Sequence, residues 1–311
     1  MEFLSKVFEG RDITESSKKL YTKNLIRLGG ENLKSLAFLK DVEKITEKLS
    51  KYKPNTQRTY IISIVSVLKA TLETEPKNKK LFDKYHDIMD KLNKELKTNN
   101  VANDKEKDNW ITPDDITHKK NDLMTEIASY PKKKITEDQF NQVQKLFLLS
   151  LYTDQKPRRN MDYQEMYILK KEMPSLPTDK NYLFLDTGKF VFHNFKTSHS
   201  KGSQEEPIGE ELKKILDIYL QYHPLIKAIK AKNAAPVPLL VNAKGEPYTS
   251  NNDMTRLLYK IFDKKVGCSQ FRKQFLTDKY SKVMEEMKAD ADSMATSTNM
   301  IQNQYVKNNI V

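Results

Sequence analysis

Arg158-Arg159, Lys196, Arg272-Lys273 and Tyr305 are the side chains of this 311-residue sequence whose types suit work on a phosphodiester. A phosphodiester repels nucleophiles with its own negative charge, and its pentacoordinate transition state gathers more charge on the nonbridging oxygens. Guanidinium groups stay ionised and pair with phosphate oxygens in bidentate fashion, so arginines supply that stabilisation without a metal. A tyrosine hydroxyl becomes a nucleophile once its proton leaves, and a lysine on a turn can protonate a departing oxygen. Taken singly, each position also has an ordinary reading. Arg158-Arg159 follow Lys156-Pro157 and fit a solvated basic turn, while Lys196 fits an edge lysine. Arg272, next to Phe271, fits an ion pair beside a buried helical face, and Tyr305 fits an amphipathic surface position.

The elements that must position these groups follow from periodicity. Thr14 or Ser16 caps a helix that the Gly29-Gly30 pair stops, and a short helix follows over Asp41–Tyr52. Pro54-Asn55-Thr56 opens a long helix in which Ile61, Ile64, Val65 and Leu68 form an apolar stripe, a core face. Glu75-Pro76 interrupts the pattern, and Leu81, Tyr85, Ile88 and Leu92 resume it, which completes a helical bundle over residues 1–98. Residues 98–109 hold almost nothing that could be buried, so 99–112 is expected to be a linker, with Trp110 as an anchor ahead of an N-capped helix at Thr112-Pro113. In the second domain, 113–311, Phe140, Val143, Phe147 and Leu151 mark a buried helix, and Asn181–Phe195 reads as two short strands around an Asp-Thr-Gly turn. Helices return over Gly209–Tyr222, Asn251–Lys264 and Phe271–Met287, the last with a stripe of Phe271, Phe275, Leu276, Tyr280 and Val283 expected to be buried. The expected fold class is mainly α with a small antiparallel β-sheet.

Composition narrows the partner. Lys and Arg number 54 against 42 Asp and Glu, a formal net charge of +12, and a basic surface gains by releasing counterions when it covers a polyanion. The first 100 residues carry 21 of those cations against 14 carboxylates and are the more densely basic part. One cysteine, Cys268, excludes an intrachain disulfide and a Cys-based zinc site, and only 8 glycines argue against a Gly-rich nucleotide-binding architecture. No apolar run is long enough to span a membrane, and MEFLSKVFEGRD carries charge where a secretory signal needs an apolar segment. The chain therefore reads as soluble and intracellular. His86, His118, His193, His199 and His223 offer no metal-ligand spacing, although His193 and His199 bracket Lys196.

In order and spacing, TDQKPRRNMDY, NFKTS, SQFRKQF and MATSTNMIQNQYVK resemble the catalytic domain of the tyrosine recombinases, the phage-integrase family. The segment NTQRTYIISIVSVL sits in a bundle similar to that family's core-binding domain, so the resemblance covers roughly residues 14–311. The family motif R-x-x-E/D falls on Arg159-Asn160-Met161-Asp162, with Arg158 as the alternative first arginine. The hairpin K-T falls on Lys196-Thr197. The H-x-x-R box falls on Ser269-Gln270-Phe271-Arg272, and the His or Trp nine residues before the nucleophile falls on Thr296 before Tyr305. Both histidine-type positions therefore depart from the family. Ser269 and Thr296 can donate hydrogen bonds but are not bases near neutral pH, and Lys273 is a candidate for partial compensation.

The resemblance implies a two-domain clamp on duplex DNA and cleavage and rejoining through a 3′-phosphotyrosyl intermediate. It also implies a homotetramer that exchanges strands by way of a four-way junction, with no metal, ATP or other cofactor. Arg159 and Arg272 would hold the phosphate, Lys196 would be the general acid and Tyr305 the nucleophile, while Lys53, Arg58, Arg158 and Lys201 would contact the DNA. Integration or resolution of a viral or mobile genome would be the purpose. A type IB topoisomerase-like nicking enzyme shares the chemistry. A catalytically inactive DNA-binding relative and a basic helical protein that binds another protein are the remaining alternatives.

Overall fold

The computed structural model describes residues 2–9, 11–97, 102, 104–173, 175–231 and 235–307. They form two compact units that divide between Ala102 and Asn103.

The first unit contains α1 (Glu2–Phe8), α2 (Glu15–Gly29), α3 (Val42–Ser50), α4 (Pro54–Thr71) and α5 (Lys79–Lys97). Thr14 caps α2 by accepting a hydrogen bond from the Ser17 amide, and Asp41 does the same for α3 through Lys44. At the end of α2 the chain needs two glycines for different reasons. Gly30 adopts φ +98, where a side chain would be strained, and a Cβ on Gly29 would meet Leu33 at 2.6 Å and Phe38 at 2.9 Å. The expected stripe of α4 is buried in full, and Tyr85 of α5 lies beneath it with its hydroxyl donating to the Leu39 carbonyl at 2.9 Å. Helix α1 is an addition to the sequence reading: Leu4 and Phe8 are buried against the same core, and Phe8 meets the ring of Tyr21.

The second unit begins earlier than expected. Residues 104–112 do not behave as a free linker: Asp104–Asp108 forms the short helix α6, and Ile111 is fully buried. The Asn109 side chain accepts from the Lys265 amide at 2.7 Å, the Trp110 carbonyl accepts from Lys264 Nζ at 3.3 Å, and Glu106 pairs with Lys273. Polar residues tie this stretch down through backbone and charge, a route that a search for buriable side chains overlooks. Trp110 itself is half-buried.

Capping boxes at Thr112/Asp115 and Thr136/Gln139 start α7 (Pro113–Ala128) and α8 (Glu137–Thr153). Helix α8 is apolar on nearly every face from Leu146 to Tyr152 and runs through the centre of the core, as such a pattern requires. After it come α9 (Asn160–Gln164), β1 (Met166–Leu169), β2 (Asn181–Phe184), β3 (Lys189–Phe192), the one-turn α10 (Ser198–Lys201) and β4 (Gln204–Pro207). Then follow α11 (Glu210–Tyr222), α12 (Ile226–Ile229), β5 (Val237–Pro238), α13 (Asn251–Phe262), α14 (Cys268–Ser293), α15 (Thr298–Met300) and a π-helical turn over Ile301–Tyr305.

The molecule is thus mainly helical, but the sheet is mixed rather than antiparallel. Its order is β4-β3-β2-β1-β5, and β1 runs parallel to β2 in the register Met166↔Asn181 to Leu169↔Phe184. The expected hairpin is β2–β3. β1 escaped the sequence reading because a four-residue apolar run carries no distinguishing period, and β4 because Gln-Glu-Glu-Pro is an edge strand without a buried face.

α14 also departs from expectation. Phe271 is buried, but Leu276, Tyr280 and Val283 are 49%, 43% and 54% exposed, because the helix runs on past α8 and out of the core. Its far end is covered locally, where Thr296 N–H bonds the Ala291 carbonyl at 2.9 Å after a left-handed Ala295, φ 49.

Candidate functional site

Three arginines meet at one cleft in the second unit. Pro157 keeps the residues after α8 from continuing the helix, so Lys156 to Arg159 run as an irregular segment to the start of α9, and Arg158 and Arg159 both line the cleft. Arg272 arrives on α14, and Phe192, Phe195 and Thr197 come from β3 and the connection that follows it. Gln204 and Glu206 of β4 close the rim, and the space enclosed is about 240 Å³. Four cationic groups, Lys156, Arg158, Arg159 and Arg272, face two carboxylates, Asp162 and Glu206, so the cleft is net positive.

A chain of buried contacts fixes the two arginines that come from distant segments. Phe271, next to Arg272, stacks on Tyr152 with ring centroids 5.5 Å apart. The Tyr152 hydroxyl donates to Asn160 Oδ1 at 2.7 Å, next to Arg159, and Asn160 Nδ2 donates onward to Thr255 of α13 at 3.0 Å. Core packing of α14 on α8 is therefore coupled to the start of α9.

The arginines differ in what they already hold. Arg158 Nε donates to Asp162 Oδ2 at 2.9 Å and Nη1 to Gln204 Oε1 at 3.0 Å. Its guanidinium carbon lies 3.7 Å from the centroid of Phe192 and 5.1 Å from that of Phe195. Burial pushes the Asp162 carboxyl above its usual range, and the adjacent Arg158 opposes that shift. Among the described residues the guanidinium groups of Arg159 and Arg272 make no hydrogen bond or ion pair, although the charge of Arg159 also helps lower the Asp162 carboxyl, and both side chains are half-exposed. Two such guanidinium groups on one small cleft form a site for an anion with several oxygens.

The remaining candidates lie outside the cleft lining. Lys196 is exposed on the 193–203 connection, between Phe195 and Thr197, which do line it. Tyr305 is 55% exposed in the π-helical turn. Ser269 is exposed on the first turn of α14, Thr296 is half-buried near the helix end, and Lys273 is turned to its ion pair with Glu106. His193 Nδ1 shares a 2.7 Å hydrogen bond with Ser203, and His199 is exposed on α10.

Among the expected DNA contacts, Lys53 and Lys201 are exposed. Arg58 is half-buried and donates to Asn93, and Arg158 is engaged internally as described, so neither is presented as a free surface cation. Gln204 and Glu206 were not anticipated, since an edge strand of polar residues carries no periodic signal. Phe195 had one in retrospect: an aromatic next to the Lys196-Thr197 pair.

No protein-family model matches the chain, and neither curated proteins nor solved structures give a match.

Proposed function

We propose that this chain is a DNA strand transferase of the tyrosine-recombinase type, with a helical core-binding domain and a catalytic domain of that family's fold. The observation that supports this reading is the convergence of Arg159 and Arg272, from distant segments, on one cleft where, among the described residues, neither guanidinium makes a hydrogen bond or ion pair. In this reading the scissile phosphate sits between the two guanidinium groups, which offset the charge that grows on its nonbridging oxygens. The Tyr305 oxygen attacks phosphorus and its phenolic proton leaves to water. As the new O–P bond forms, the bond from phosphorus to the 5′ oxygen breaks, and Lys196 gives that oxygen a proton and regains one from solvent. Rejoining is the same step in reverse, with the bond energy held in the phosphotyrosyl ester. Because Tyr305 lies outside the cleft lining, its delivery requires movement of the segment after Ala295 or a tyrosine from a second protomer in a tetramer on DNA. Integration or resolution of a viral or mobile genome is the role this chemistry would serve.

The same position of Tyr305 favours a second reading, a DNA-binding relative that does not cleave. One experiment separates them. The protein is incubated with nicked duplexes carrying a randomised central segment, denatured, and searched for DNA attached to Tyr305. A covalent adduct, absent from Tyr305→Phe, supports strand transfer, and the trapped sequence reports the site. Retention of duplex binding without any adduct supports the inactive relative.

A further inference from the structure

The geometry points to Arg158 as a positioning residue that holds the Lys196-bearing connection at the cleft. This inference rests on the strand-transfer reading above. Arg158 touches more separate elements of the unit than either of the other cleft arginines. It pairs with Asp162 on α9, donates to Gln204 on β4, and packs its guanidinium face on Phe192 of β3 and Phe195 of the 193–203 connection. That connection leaves β3 at Phe192 and returns as β4 at Gln204, so Arg158 grips it at both ends and on its inner side. Lys196 and Thr197 sit next to Phe195, one exposed and one lining the cleft. Asn181 of β2 holds the start of the connection through the amides of His193 and Asn194 and the Asn194 carbonyl, and Asn194 reaches the Asp179 carbonyl at 3.0 Å. Past Phe195, however, the side-chain bonds among the described residues are local: Ser203 to His193 and Ser200 to the Thr197 carbonyl.

A guanidinium is needed for this arrangement. Its planar fork donates in plane toward Asp162 and Gln204 while presenting a flat face to the Phe192 ring, which a lysine ammonium cannot do. Without that grip, the corner bearing Lys196 would keep its backbone path but lose its fixed distance from the phosphate. A general acid misplaced by about 1 Å loses much of its effect, so the defect falls on protonation of the departing oxygen.

The test separates protonation from everything else. The nicked duplex recovered by the randomised capture is prepared in two forms, with oxygen or with sulfur bridging phosphorus to the 5′ carbon at the cleaved bond. A thiolate leaves without being protonated, so sulfur removes the need for a general acid. Arg158→Met is expected to slow adduct formation on the oxygen duplex about 10- to 100-fold, in line with loss of general acid catalysis. On the sulfur duplex it is expected to stay within about 3-fold of the parent, as Lys196→Ala also should. Gln204→Leu and Phe195→Leu leave the Arg158–Asp162 pair intact and are expected to show the same pattern in weaker form, which covers the case in which Arg158→Met does not fold. Equal slowing on both duplexes, or no slowing on either, overturns the positioning role. If the parent protein forms no adduct with either duplex, the strand-transfer reading itself fails and this inference falls with it.

Discussion

Arg158 and Arg159 are adjacent in sequence, line the same cleft and are engaged in opposite ways. Arg158 is held by Asp162 at 2.9 Å, Gln204 at 3.0 Å and the face of Phe192, whereas the Arg159 guanidinium makes no hydrogen bond or ion pair among the described residues. Asp162, the acidic residue of the R-x-x-D match, forms its ion pair with Arg158, while Arg159 acts on it only through charge and backbone. The division leaves one arginine locked into the structure and the other with its guanidinium open to the cleft.

Removal of either free guanidinium is expected to impair chemistry without harming the fold. Arg159→Ala and Arg272→Ala should each slow adduct formation by about 10²- to 10³-fold, the scale for loss of a preorganised donor at a developing charge. Lysine at either position should restore little, since it lacks the bidentate fork. Stability should change by no more than about 0.5 kcal/mol, because both side chains are half-exposed and neither guanidinium makes a hydrogen bond or ion pair among the described residues. Single-turnover cleavage together with urea melts measures both effects, and a loss of stability that parallels the loss of rate would assign these residues to structure instead.

Much of this architecture was legible before any coordinates. The Thr14 cap, the stripe of α4, the capped start of α7 at Thr112, the buried positions of α8 and the β2–β3 hairpin are local consequences of residue type, and they are present where the sequence put them. What periodicity missed depends on tertiary pairing. The parallel partner of β2 is four apolar residues without a period, and the docking of residues 104–112 uses a carbonyl, an amide and an ion pair. The apolar spacing along α14 was misleading in the opposite sense, since amphipathic spacing on a helix does not say how far its neighbour extends. Of the candidate site, the three arginines that share the cleft were readable as residues, but the employment of Arg158 was not. Its partners, Gln204, Phe192 and Phe195, are joined to it only by the sheet.

Tyr305→Phe is expected to abolish the adduct entirely and leave melting and duplex affinity unchanged, because its ring is more than half exposed. Mixing it with Arg159→Ala then reports the route of delivery. Tyr305→Phe forms no adduct alone, and Arg159→Ala forms it only slowly. If the tyrosine is delivered from another protomer, the mixture forms covalent complex much faster than Arg159→Ala alone; if it is delivered within the same chain, the mixture is no faster. Gel analysis after denaturation reads the result directly.

Binding to duplex DNA should weaken steeply with salt, because each neutralised phosphate contributes a slope of about 0.9 in log K against log salt. Lys53 and Arg58 lie on the same helix start but should respond differently. Lys53→Gln removes an exposed cation and is expected to flatten the slope by about 0.9, while Arg58→Gln removes a half-buried group already bonded to Asn93 and should leave the slope nearly unchanged. Salt titrations by fluorescence anisotropy measure both, and a shallow slope for the parent protein would favour a protein partner over DNA.

His223 gives the second unit a pH dependence of calculable sign. The ring is buried at the end of α11, edge-on to Tyr219 at 5.3 Å, and its Nδ1 accepts from the Leu225 amide at 3.1 Å. Nε2 therefore carries the proton; it is buried near the Leu239 and Pro238 carbonyls without reaching good hydrogen-bond geometry. Charging the ring would place a proton on Nδ1, against the Leu225 N–H, and burial lowers the pKa from 6.5 to about 4. The unfolded chain then binds the proton more readily than the folded one between those two values. Stability from this group is full above the unfolded pKa and declines as the pH falls below it, until the folded pKa is reached. Between pH 7.5 and 5.5 the loss should be roughly 1.3 kcal/mol, a window that lies above the range in which most carboxylates titrate. In His223→Gln that increment should disappear from urea melts at the two pH values, since glutamine does not titrate. If the parent and the variant lose stability equally over the window, the imidazole is charged in the folded protein and its burial does not exclude the proton.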